Sequence, residues 1–119
     1  RINQQVVYTV VLFHSQVENG GFHQYFFNSY GQFAYLTLNN LKLIGAKSRH
    51  DLLERALKEV NYENWNEVTF RELVYSRKLE RISSFDQELF DILNELDNEY
   101  YALENEEILE LLTNYLESD

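Results

Sequence analysis

Asn19-Gly20-Gly21 interrupts the chain between two stretches that each read as helix. Before it, Val6, Val10, Phe13 and Val17 recur in steps of 4, 3 and 4, with Val7, Val11 and His14 widening the apolar side, so residues 3–18 are predicted to be helical. A helix this apolar is expected to be covered on more than one face. After the interruption, Phe22, Tyr25 and Phe26 fall at helical spacing and give a short second helix an aromatic face, each Phe contributing about 1.5–3 kcal/mol when buried. Asn28, Ser29 and Gly31 then close it. Glycine tolerates positive φ, so the pair predicts that the first helix stops in a left-handed cap and the chain turns at once.

The rest of the chain follows the same logic. Ala34, Leu38 and Leu41 predict a third helix over residues 32–44, with Gly45 as its terminator. Ser48 with Asp51 resembles a capping pair ahead of a fourth helix through Leu52, Leu53, Ala56, Leu57 and Val60. Residues 61–84 are the least regular: a short helix from Thr69 and Glu72 through Leu79 is expected, with a strand pair through Val68–Phe70 and Leu73–Tyr75 as the alternative. Ser84 and Gln87 form a second capping pair. Beyond them Leu89, Leu93, Leu96, Tyr100 and Leu103 make a narrow seam that packs on a partner helix, within the domain or across a dimer. Glu106 and Glu107 suit the start of a last helix through Ile108, Leu112 and Leu116. No proline is present and only four glycines, which fits helices joined by short polar turns. The expected fold is all-α, a compact single-domain bundle of about six helices over residues 1–119.

The absence of cysteine excludes disulfides and thiolate chemistry within these residues, and no apolar run is long enough to span a bilayer. Arg1 in place of an initiator Met predicts a piece of a longer chain, and a cytoplasmic location is the expectation. The formal charge of −10 is unevenly spread. Residues 1–47 hold three bases and one acid, residues 48–84 seven of each, and residues 85–119 twelve acids with no Lys, Arg or His. Any field effect therefore belongs to the C-terminal third.

Val17, Asn19, Gly20, Gly21, Phe22, Gln24, Tyr25, Phe26, Asn28 and Ser29, followed by Ile44, Gly45 and Ala46, resemble the Asn-Gly-Gly-Phe-x-Gln-Tyr-Phe-x-Asn-Ser signature of a bacterial DNA-mimic protein family, long filed as a domain of unknown function. Gln16 departs from it, standing where that family usually carries an acid. The resemblance implies a helical fold and, for at least one member, occupation of a DNA-binding protein's nucleic-acid site.

Two groups of residues could carry function. On a wheel centred on the leucine seam, Glu88, Asp91, Glu95 and Glu99 lie along one flank and Asp86, Asp97 and Glu104 along the other. Steps of three and four residues space carboxylates about 5–6 Å apart along a helix, and like charges so placed repel until a basic partner relieves them. With the resemblance, this points to an acidic module that mimics DNA and binds a basic DNA-binding protein, as a possible homodimer. The alternative is an immunity-type protein that neutralises a toxin or nuclease through an aromatic face. The second group is His14, Glu18 and His23, which could form a metal site or a His-based acid and base. It lacks any specific motif, so no catalytic residue, metal or cofactor is expected. Direct nucleic-acid binding is disfavoured because an acidic domain repels phosphate.

Overall fold

The computed structural model describes residues 2–118. Helix α1 runs Ile2–Phe27, and a 3-10 turn follows at Tyr30–Phe33. Then come α2 (Ala34–Leu43), α3 (Lys47–Val60), α4 (Glu67–Tyr75), the single turn α5 (Glu80–Ser83), α6 (Gln87–Tyr101) and α7 (Ile108–Glu117). Six of these are nine residues or longer, and no strand occurs among the described residues. The strand pair considered for residues 68–75 is replaced by α4. Asn66 starts that helix, its side chain accepting a hydrogen bond from Thr69 N at 2.9 Å. Among the described residues, no helix is long and apolar enough to cross a membrane.

α1 is the hub. It packs against the 3-10 turn, α2, α5, α6 and α7, while α3 lies between α2 and α6 and α4 rests on the 3-10 turn. Its buried stripe is Val6, Val10, Phe13 and Val17, continued beyond the bend by Phe22, Tyr25 and Phe26. The α6 seam of Leu89, Leu93, Leu96 and Tyr100 is buried against it, so this seam is internal to the domain. Phe13 is the centre of the contact: its ring lies 5.1 Å from Tyr25, 5.8 Å from Tyr100 and 6.0 Å from Phe22, in edge-on or tilted geometry.

The glycine pair works differently from a left-handed cap. Gly21 adopts φ 83° and ψ 179°, a region open essentially to glycine alone, and the helix bends there and resumes at Phe22. Gly45 does end α2 as expected: at φ 83° it lets Ala46 N donate to Leu41 O at 2.9 Å. Both capping pairs are displaced. Ser48 lies inside α3, whose N-cap is Ala46 with no side-chain bond, and the cap of α6 is Asp86, not Ser84, its carboxylate accepting from Leu89 N at 2.9 Å.

Candidate partner-binding face

Because the leucine seam of α6 is buried against α1, its flanks are turned outward, and their carboxylates separate into two kinds. Glu88, Asp91, Glu95, Glu99 and Glu104 are exposed. Arg81 Nη2 approaches Glu88 at 3.5 Å, but the Glu88 side chain remains 81 % exposed. Among the described residues, no ion pair reaches Asp91, Glu95 or Glu104. Glu99 takes a two-pronged bond from Arg55, 2.9 and 3.0 Å, which holds its carboxyl below the usual range and raises the guanidinium.

Asp86 and Asp97 serve the fold. Asp86 caps α6, as described. Asp97 is half-buried against α1, and its Oδ1 accepts from Phe22 N at 2.8 Å. Burial raises its pKa, and the Phe22 N–H opposes that shift only in part. The seven carboxylates read together on the wheel thus divide into an exposed arc on α6, Glu88, Asp91 and Glu95 with Glu99 beyond it, two structural caps, and Glu104, which lies past the end of α6 at Tyr101 and so on neither flank of the helix.

A third internal carboxylate, Glu106, belongs to the loop before α7. It accepts from the backbone of Ser48 (2.6 Å) and Arg49 (3.0 Å), and so caps α3 from a distant part of the chain. The same group pairs with Arg49 Nη1 at 3.0 Å, both side chains being largely buried, and Arg49 also donates to Glu106 O. The guanidinium stands 5.0 Å from the Tyr100 ring centre, and Tyr100 Oη meets His14 Nδ1 at 2.6 Å. Burial, with Arg49 next, lowers the His14 pKa; burial raises that of Tyr100. His14 is therefore tied into a partly buried chain of contacts.

His23 lies elsewhere. Its ring stacks on Phe90 at 4.0 Å and on Phe27 at 6.0 Å, with Phe85 at 5.5 Å, and burial lowers its pKa. His14, Glu18 and His23 do not converge on a common point. Among the described residues, the one group whose ligand atoms lie within 4.8 Å of each other is His50, Asp51 and Glu54. Asp51 there is already engaged by Lys47 at 3.3 Å and His50 at 2.9 Å, and the positive end of α3 opposes a cation.

The polar residues of the Asn-Gly-Gly-Phe run have structural partners. Gln24 Nε2 and Asn28 Nδ2 both donate to Gln16 Oε1, at 3.1 and 3.2 Å, clasping the two halves of α1 across the bend. Gln16 offers there the acceptor oxygen that an acid would offer. Ser29, at φ 70°, begins the 3-10 turn, and Phe22, Tyr25 and Phe26 are core. Asn19 and Gly20 are exposed.

A family model described as DMP19-like protein matches residues 2–119. No curated protein and no solved structure matches the chain.

Proposed function

The chain belongs to the DMP19-like family, and from that premise we propose that it acts by binding another protein, its exposed carboxylate arc standing in for a DNA backbone in the basic site of a DNA-binding protein. The observation that carries this is the run Glu88, Asp91, Glu95: three exposed acids on one flank of a helix whose opposite side is locked to the core. Steps of three and four residues set them about 4.5 and 6 Å apart along the axis. The segment from residue 85 onward supplies no base to neutralise them. A groove lined with Lys and Arg would relieve their mutual repulsion, as it neutralises phosphates on DNA.

Binding, not catalysis, is the activity we propose. His14 is occupied by Tyr100, and His23 is enclosed by aromatic rings, so neither is presented to a substrate alongside Glu18. The test is capture of proteins from native lysate on the immobilised chain, with elution by rising salt and by double-stranded DNA. Mimicry predicts that a DNA-binding protein is retained, and that both salt and DNA release it. Capture that DNA leaves untouched contradicts mimicry and favours an immunity-type contact.

A further inference from the structure

We propose that the outward face of α4, with the 3-10 turn beside it, is a docking surface for an acidic amphipathic helix of another protein, whose carboxylates pair with Arg71 and Arg77 while an apolar side chain fills the depression beside Val68 and Tyr75. This surface is distinct from the acidic arc, which lies on α6.

α4 is amphipathic, and one of its sides is uncovered. Phe70 and Val74 are buried, and the helix rests on the 3-10 turn. On the outward side Val68, Arg71, Glu72 and Tyr75 recur at steps of three and four residues, and all are exposed, Val68 by 66 % and Tyr75 by 69 %. That is the spacing with which one helix lies along another. Together with Gln32 of the 3-10 turn, these four residues line a depression of 340 Å³, room for a bulky apolar side chain from a partner. Tyrosine and arginine are the side chains in which binding energy concentrates at interfaces.

The charge around the depression selects its occupant. Residues 68–78 hold three bases, Arg71, Arg77 and Lys78, and one acid, Glu72, in a chain of net charge −10. Arg49, Arg55 and Arg81 each meet a carboxylate, whereas among the described residues no ion pair reaches Arg71, Arg77 or Lys78. Both of these guanidiniums are laid on rings instead. Arg71 stands 5.8 Å from the ring centre of Phe33, at the end of the 3-10 turn, and Arg77 stands 5.5 Å from that of Phe27. Arg77 Nε also donates to Ser29 Oγ at 3.3 Å, where the turn begins. Stacking fixes the plane of a guanidinium and leaves its edge to bind a carboxylate with two bonds at little ordering cost. Ser29 and Phe33 are four residues apart, about 8 Å at 2.0 Å per residue, a span that carboxylates one and two helical turns apart bracket. A peptide is favoured over nucleic acid on two counts: Glu72 lines the depression itself, and the net acidic chain repels a long run of phosphates.

The experiment is fluorescence anisotropy with a labelled synthetic peptide of about 15 residues, long enough to hold a helix, carrying Glu on one face and Leu on the other. A copy with Gln in place of Glu and a single-stranded oligonucleotide of the same length serve as comparisons. The acidic peptide should bind with a Kd on the order of 10–100 µM, and more weakly as salt rises. Arg71→Glu should weaken it by about 10-fold or more, and Tyr75→Ser by a similar factor. Both side chains are exposed, so the fold is retained, and circular dichroism of each variant checks it. Tyr8→Ser, which alters an exposed aromatic on α1, should leave the Kd unchanged. No binding at about 1 mM peptide, equal binding of the Gln copy, tighter binding of the oligonucleotide, or a Kd indifferent to both α4 variants would each overturn the proposal.

Discussion

Phe22 N donates to Asp97 Oδ1 at 2.8 Å, joining residues 75 positions apart at the point where α1 bends. The carboxylate reaches the backbone because Gly21 has no side chain: a Cβ there would fall 2.8 Å from Asp97 Cγ and closer still to Oδ2. The bend of α1 and the seating of α6 are thus one arrangement, held by an acid that also caps the resumed helix.

Gly21→Ala should destabilise the domain by about 3 kcal/mol, from the glycine-only backbone conformation and the collision with Asp97 together. Gly20→Ala should cost less, because Gly20 has no positive φ and its Cβ meets the Gln24 side chain and not a carboxylate fixed by a backbone bond; the cost is the shift of Gln24 and the loss of its bond to Gln16. Urea unfolding of the two variants gives the comparison; equal losses would contradict the role assigned to Gly21.

Glu106→Ala removes the cap of α3 and leaves the buried Arg49 guanidinium without its counter-charge. Loss of one partner of a buried pair costs about 3–5 kcal/mol. Glu106→Gln, which keeps an acceptor for the backbone N–H groups, should recover part of it in the same denaturant measurement.

Acid should weaken the fold through His23. Burial among Phe27, Phe85 and Phe90 lowers its pKa from the ordinary 6.5, although a bond to the Ile82 carbonyl opposes the shift. The unfolded chain then takes up the proton more readily, so the contribution is complete above pH 6.5 and is lost as the pH falls through and below that value. His14, lowered for the same reason, adds to the slope. His23→Phe keeps the stack and removes the titration, and its stability measured against pH should fall less steeply on the acid side of 6.5.

Arg55→Ala frees Glu99 from its only ion pair among the described residues and extends the exposed arc by one carboxylate. Both side chains are half-exposed, so thermal stability should barely change. Retention of a basic partner should rise, most at low salt. Salt elution profiles of the variant and parent check this.

Much of this was legible from local pattern. The stripes of α1, α3 and α6 come from the period of their apolar residues, and Gly45 ends α2 through a conformation that its own sequence requires. What failed was whatever depends on distant partners. Ser48 with Asp51 has the form of a capping pair, but Glu106 from the loop before α7 occupies the start of α3. Asp97 and Glu95 both flank the same seam, and only the position of Gly21 in space separates a structural cap from an exposed acid. Asn61 interrupted the apparent pattern of residues 61–66 because its side chain ties the loop together, bonding Trp65 N and O and Tyr35 Oη at 2.8–2.9 Å.

The central claim is that the exposed flank of α6 holds a basic partner by charge, and replacing Glu88, Asp91 and Glu95 with Lys together tests it most directly. All three side chains are exposed, and of them only Glu88 meets a base, Arg81 at 3.5 Å with the acid still 81 % exposed, so the variant should fold. Measured against the parent at several salt concentrations, the triple variant should lose the captured DNA-binding protein even at the lowest salt. Retention equal to the parent, with the same salt dependence, would contradict the account.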